Sequence, residues 1–427
     1  MSLQHWRELT PDGRLLFSTR IARLFAYGFL SVVLVLYLAE AGLTEPQIGA
    51  LLTLTLIGDT LISLWITTTA DRVGRKRMLI AGAGLMLFAG GLFAVTRNFG
   101  LLLAAAIVGV ISPSGNEVGP FLAIEQAALT QIILSGQRTR IFAWYNLVGS
   151  LATALGALAG GGLAQSLRSA GASPLDSYRA VVVGYAVIGL VLGAIFTRLS
   201  LAVEATPLSS SGRARPPQRS EVDGAGGEGR LGLHRSRGVV FKLSALFAMD
   251  AFGGGFVVQS LVAYWFHRRF GVEPAVLGGI FFGANLLAGL SALAAARVAA
   301  RIGLINTMVF SHIPSNILLM LVPLMPNLPL AIAVLLLRFS LSQMDVPTRQ
   351  SYTMAVVAPD ERSAAAGVTG VARTLGASLA PIFTGPLLAH PALMGVPFLL
   401  SGGLKIIYDL TLYREFRALR PPEERGL

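Results

Sequence analysis

The sequence predicts an all-α integral membrane fold of twelve transmembrane helices in two six-helix bundles, and three observations predict it. Charge is scarce: 54% of the 427 residues are apolar and 13% are charged, about half the charged share of a soluble domain. Stretches that can cross hydrocarbon, which takes about 20 apolar residues, recur along the chain. Residues 78–96, 180–197 and 274–296 contain no Asp, Glu, Lys or Arg, and 46–70 contains only Asp59. Basic charge alternates between loops. With both termini cytoplasmic, only Arg97, Arg168, Arg179, Arg268 and Arg269 fall outside, which sets the orientation.

The N-terminal bundle is expected over residues 1–199, with spans at 18–41, 46–69, 78–96, 100–130, 139–164 and 179–199. Residues 1–18 are polar and amphipathic, so they do not read as a cleaved signal peptide. Span 1 opens with Arg20 and Arg23, three apart on one face. Both are expected to snorkel to the interface, the alternative being that Arg23, one turn deeper, is a site for an anionic solute. Span 2 carries Asp59 at half its length, twelve residues before Asp71 and too deep to snorkel. A charge there costs at least about 2.5–3.5 kcal/mol. Asp59 is therefore read as a coupling or substrate residue, against the alternative of a structural hydrogen bond or Arg pair. Span 4 is interrupted at Ser112-Pro113-Ser114-Gly115-Asn116-Glu117, where Pro removes a donor and Gly loosens the ladder. Freed carbonyls and Glu117 are expected to line a cavity, or the site is a simple kink. Glu125 either pairs with Arg138 or Arg140 or meets substrate.

Residues 200–238 are rich in Ser, Gly, Pro and Arg and cannot bury a core, which predicts a cytoplasmic linker. The C-terminal bundle follows over 239–427, with spans at 239–266, 275–297, 304–325, 328–357, 362–389 and 393–413. Span 7 offers Asp250 and Gln259, and span 10 offers Arg338, Asp345 and Arg349. Asp345 and Arg349 are four apart and read as a local ion pair, while Arg338 shares their face and is too deep to ignore. Arg373 in span 11 is a further cavity candidate. Lys405 and Asp409, also four apart, read as a self-neutralising pair. Sliding the chain by 224 residues superposes Arg138-Thr139 on Arg362-Ser363 and Gly161 on Gly385. Parallel six-helix repeats about a linker describe two bundles that rock against each other.

Between spans 2 and 3 the sequence reads Asp71-Arg72-Val73-Gly74-Arg75-Lys76-Arg77, with a degenerate echo at Arg301-Ile302-Gly303 after span 8. Gly permits a tight turn and the basic residues hold the loop inside. This segment resembles motif A of the major facilitator superfamily, and the layout of nearly the whole chain is similar to that family. The resemblance implies a transporter fold in which Asp71, Arg72, Gly74 and Arg75 gate the cytoplasmic side, with Asp71 capping span 11 across the bundle interface. Gly156-Ala157-Leu158-Ala159-Gly160-Gly161 in span 5 is similar to the antiporter motif C of drug and proton exchangers, with Ala157 where that motif has Pro. Small residues on a membrane helix also serve simple close packing.

The His residues are scattered, no metal pair or phosphate loop occurs, and Cys is absent. The chain is therefore expected to use no cofactor, no metal and no catalytic residue, and to bind no nucleic acid despite its net charge of +12. The expected partners are a small-molecule substrate, protons and the lipid bilayer, for a monomer in the cell membrane. The function read from these observations is secondary transport by alternating access, as proton-coupled export. Uptake of a small polar or anionic solute is the alternative within transport, and a non-transporting receptor or scaffold the alternative outside it. The coupling and substrate candidates are Asp59, Glu117, Arg23, Asp250, Arg338 and Asp345.

Overall fold

The computed structural model describes residues 9–133, 138–204 and 233–419, with the side chains of 138–140 also outside the description. The expected linker, 200–238, thus lies mostly outside the described residues.

Among the described residues seventeen α-helices follow one another. The first half holds α1 (Pro11–Ser31), α2 (Leu34–Glu40), α3 (Glu45–Val73), α4 (Arg75–Val95), α5 (Phe99–Val108), α6 (Phe121–Ile132), α7 (Arg138–Ser169) and α8 (Pro174–Phe196). The second holds α9 (Arg237–Gly255), α10 (Gln259–Phe270), α11 (Pro274–Ile302), α12 (Leu304–Leu321), α13 (Leu328–Leu341), α14 (Asp345–Val356), α15 (Arg362–Leu379), α16 (Pro381–Ala389) and α17 (Val396–Phe416). Polar caps start them where the sequence turns. Thr10 accepts from the Gly13 amide at 3.1 Å with Pro11 following, and Thr44 and Gln47 form a capping box. Asn98, Ser173 and Asn327 cap α5, α8 and α13 in the same way.

Among the described residues nine segments are long and apolar enough to cross a membrane, and a tenth if α1 and α2, bent by 44°, form one span. The pairs α5/α6 and α15/α16 hold the fourth and eleventh places, consistent with the twelve expected spans. The break in span 4 is wide: residues 109–120 are non-helical, with Gly115 and Gly119 at φ of 71° and 80°. Spans 1, 7, 10 and 11, expected as continuous helices, are broken too. Their causes are local: the Ser31 hydroxyl bonds back to the Gly28 carbonyl before Val32-Val33, Gly253-Gly254-Gly255 ends α9, and Pro381 opens α16 without an amide donor.

The start of α1 lies beside the end of α8, where Asp12 accepts from the Ser200 amide at 2.9 Å. Lys242 near the start of α9 bridges to Glu415 near the end of α17 at 2.8 Å. The starts of α1 and α9 and the ends of α8 and α17 thus share one face, here the near face. Within the halves, α7 packs along α1, α4 along α8, α9 along α15 and α12 along α17; across them, α7 meets α11 and α3 meets α16.

Candidate functional site

Among the described residues two buried ionic networks lie inside the bundles, one in each half. In the first, Arg23 of α1 is fully buried and takes both carboxylates of span 4. Its Nε donates to Glu117 at 2.8 Å, and Nη1 and Nη2 fork onto Glu125 at 2.7 Å each. Arg20 adds a 2.6 Å bond to Glu117 and donates to the Tyr145 carbonyl at 2.9 Å. Thr19 donates to Glu125 at 2.9 Å, the Tyr145 hydroxyl donates to the same carboxylate, and the Tyr145 and Phe121 rings lie under Arg20 and Arg23. Two guanidiniums and two carboxylates thus neutralise each other in low dielectric, which one missing partner would undo.

The expectation that Arg20 and Arg23 snorkel is corrected: both turn inward, because span 4 presents Glu117 and Glu125 at the same depth. Glu125 pairs with Arg23; Arg138 and Arg140 lie outside the described side chains. Glu117, expected to line a cavity, lies within the break in span 4 and is held by both arginines.

Asp59 stands apart from this network. It is 8% exposed, and among the described residues no cation lies within ion-pairing distance of it. Its one side-chain donor is the Ser63 hydroxyl, at 3.5 Å.

The second network joins four spans. Asp250 of α9 accepts from Lys405 of α17 at 2.6 Å and from Arg349 of α14 at 3.0 Å, and Arg349 also reaches Asp345 at 2.9 Å. His312 of α12 contacts Asp409 at 2.9 Å, and Asn316 one turn on donates to the same carboxylate at 3.1 Å. The expected Lys405–Asp409 pair is therefore corrected: the two diverge to different helices, since each finds a buried partner of its own. Arg338 and Arg373 are half-buried and join no ion pair among the described residues.

On the near face, Gly74 turns between α3 and α4 at φ 115°, a conformation that favours glycine, and Gly303 repeats it between α11 and α12 at 86°. Arg75 donates to Asp71 at 2.8 Å, to Gln131 at 2.9 Å and to the Val203 carbonyl at 3.2 Å. Glu204 accepts from the Arg75 and Lys76 amides at 2.6 and 3.2 Å, so a carboxylate from the linker's first residues seats on the positive end of α4. Asp71 does not cap α15 as expected. It is 65% exposed, occupied by Arg75, and the N-cap of α15 is Glu361. Arg72 is exposed beside it.

The hydrogen bonds that join the halves among the described residues lie away from the near face. Gln259 donates to Ser31 at 2.7 Å and itself accepts from Asn285 of its own half at 3.0 Å. The Ser260 amide at the start of α10 donates to the freed Pro113 carbonyl at 3.0 Å. Tyr264 donates to Glu45 at 2.8 Å, and the Ile382 amide to Thr53 at 2.9 Å. Small residues draw the backbones together at the same level: a Cβ on Gly49 would stand 2.5 Å from the Pro381 carbonyl oxygen, and one on Gly161 2.2 Å from that of Pro274. Gly156 and Gly160 similarly seat α7 on α1, against the Phe25 and Phe29 carbonyls. The glycine-rich stretch of span 5 is thus a packing surface on two sides.

Sequence reasoning missed Thr19, Tyr145, His312, Asn316, Glu204 and Glu361. His312 carried a signal, an ionisable residue inside an apolar span; the rest carried none.

Residues 16–381 match the family model described as Major Facilitator Superfamily. The chain is 33% identical over 418 residues, 94% of its length and 93% of the other's, to an uncharacterized membrane protein of Saccharomyces cerevisiae. Over 138 residues, 32% of this chain and 34% of the relative, it is 27% identical to the quinolone resistance protein NorA of Staphylococcus aureus. The crystal structure of a D-xylose-proton symporter superposes with a TM-score of 0.70 at 14% identity, covering 97% of this chain and 99% of that one.

Proposed function

The chain belongs to the Major Facilitator Superfamily, and on that premise we propose that it moves a small molecule across the membrane by alternating access, coupled to protons. The observation that carries the reading is the placement of the cross-bundle hydrogen bonds, from Ser31–Gln259 to Thr53–Ile382, in the half of the spans away from the near face. Two bundles sealed at one face and separable at the other make one of the two states such a carrier visits. The near face bears the basic loops, so it is the cytoplasmic face, and the conformation is open inward.

Asp59 is the proposed coupling residue. Deep in its span it is buried and has no cation within ion-pairing distance among the described residues, so its proton is exchangeable without breaking an ion pair. Glu117, paired to Arg20 and Arg23, and Asp250 with Asp345, paired to Lys405 and Arg349, transmit or stabilise the bundle states. Export is the proposed direction, supported by the glycine pattern of α7 and the partial similarity to a drug-resistance protein. A receptor or scaffold without transport does not account for two costly buried charge networks.

Flux in proteoliposomes under an imposed pH gradient tests the reading. Chain-dependent solute movement that collapses when the gradient is dissipated is expected. No gradient-driven flux across neutral, cationic and anionic solutes would contradict it.

A further inference from the structure

We infer that His312, held between Asp409 and Asp250, is a second proton-binding site that biases the rocking of the bundles; this rests on the transporter reading above and places a proton site in the half opposite Asp59. The permanent cations of the C-terminal bundle leave one carboxylate uncovered. Asp250 takes Lys405 at 2.6 Å and Arg349 at 3.0 Å, and Arg349 also covers Asp345 at 2.9 Å. Asp409 of α17 is buried, and among the described residues no Lys or Arg lies at ion-pairing distance from it. Its partners are His312, at 2.9 Å, and the neutral Asn316. A buried charge needs a counter-charge, and His312 supplies one only with a proton bound.

The ring is placed for that proton. Its Nδ1 meets Asp409 and its Nε2 stands 3.9 Å from Asp250, so each nitrogen faces a carboxylate. With a single proton the ring donates from Nδ1 and turns the Nε2 lone pair toward Asp250, acceptor against acceptor. A second proton, taken from water onto that lone pair and returned to water on release, makes Nε2 a donor. The imidazolium then binds α12 to α17 and to α9 together. The other groups facing it from the packed helices are Lys405 and Tyr408 of α17 and Asp345 of α14. Arg338 of α13 and Arg373 of α15 act on Asp345 from beyond ion-pairing distance, and the arginines of α11 that follow Ser291, Arg297 and Arg301, are exposed.

The proton state reaches the seam between the bundles through α9. Asp250 lies in the last turns of that helix, which ends at Gly255, and the chain then enters α10, whose Gln259 and Ser260 bond across to Ser31 and the Pro113 carbonyl. A protonated His312 competes with Lys405 and Arg349 for Asp250, so gain or loss of the proton changes the pull on α9 and on the seam it leads to. Accumulation of solute draws on both proton sites, and each alone biases the conformation.

Proton binding and its effect are read separately. In the full chain carrying His5→Gln, His234→Gln, His267→Gln and His390→Gln, nitrogen-15 signals of labelled histidine belong to His312 alone. Both ring nitrogens are expected to be protonated at about pH 5, with one proton lost by about pH 10. A ring that stays neutral, or stays charged, over that whole range overturns the inference. Spin-label distances between Thr44 and Ala392 report the effect on the fold. They should shift with pH in the parent, keep part of the shift in Asp59→Asn, and lose it when Asp59→Asn is combined with His312→Gln, with each variant melting within a few degrees of the parent. An Asp59→Asn protein that ignores pH beside a parent that responds, or a double variant that still shifts, overturns the second site and leaves the transporter reading standing. A parent that ignores pH while the ring titrates contradicts coupled transport and leaves proton binding at His312 standing.

Discussion

Gly161 of α7 and Gly278 of α11 face each other across the two bundles, so close that a Cβ on Gly161 would lie 2.9 Å from the Gly278 Cα and 2.2 Å from the Pro274 carbonyl oxygen. No side chain fits there without separating the helices. Gly161→Val should therefore push the far face open. Because the chain has no Cys, a single Cys at Thr53 reports this directly. Its labelling from the far side by an impermeant maleimide should rise several-fold in Gly161→Val, and an unchanged rate counts against the seam as the closing surface.

The Arg23 network predicts a stability effect that double mutation relieves. Arg23→Gln leaves Glu125 buried without its fork and should cost about 3–5 kcal/mol in detergent unfolding. Adding Glu125→Gln should recover more than half of the loss, since it removes the stranded charge. A single variant that loses less than about 1 kcal/mol would show that the pair is dispensable.

Glu204 holds the amides of Arg75 and Lys76. Glu204→Gln should weaken this contact by about 1–3 kcal/mol and speed hydrogen exchange of those two amides about tenfold or more. Exchange as slow as in the parent would mean that the carboxylate does not hold the loop.

At the other end of the linker, Glu361 accepts from the amides of His234, Arg235 and Ser236 at 2.7, 2.7 and 2.8 Å, and also contacts the His234 ring. Burial opposes its charge, but these donors hold its carboxyl down to about 2. A depressed carboxyl stabilises the fold above its unfolded value, about 4.3, and that stability is lost as pH falls toward 2. The melting difference between parent and Glu361→Gln should be flat from pH 5 to 8 and shrink below about pH 4.3. A difference that persists undiminished to pH 2 contradicts the contact.

Asp59→Asn should abolish gradient-driven accumulation while sparing exchange of substrate across the membrane, because the proton site is lost and the rocking is not. Full pH-driven flux in this variant would move the coupling assignment to Asp250 or Asp345.

The span pattern, the near-face loop at Asp71–Arg77 and the break after Ser112 were legible in the sequence, since hydropathy, turn chemistry and Pro act locally. Charge pairing was not. Arg23 finds Glu125 over a separation of 102 residues and Lys405 finds Asp250 over 155, whereas spacing alone suggests the neighbour four residues away. Lys405 and Asp409 share a helix face, yet each finds a partner on another helix. The breaks in spans 1 and 11 were hidden for a related reason: Ser31 and Pro381 are compatible with a continuous membrane helix until the partner bundle takes part, Gln259 donating to Ser31 and Thr53 accepting from the Ile382 amide. The Ser260 amide meeting the Pro113 carbonyl is such a case.

Alternation itself is tested most directly by spin-label distances at both faces, with one pair at Val73 and Ser363 on the near face and another at Thr44 and Ala392 on the far face. The account predicts two populations at each face, shifting in opposite directions: in Gly161→Val the near pair shortens as the far pair lengthens. A single distance at each face, unmoved by Gly161→Val, by pH or by solute, would contradict a carrier that rocks between two states.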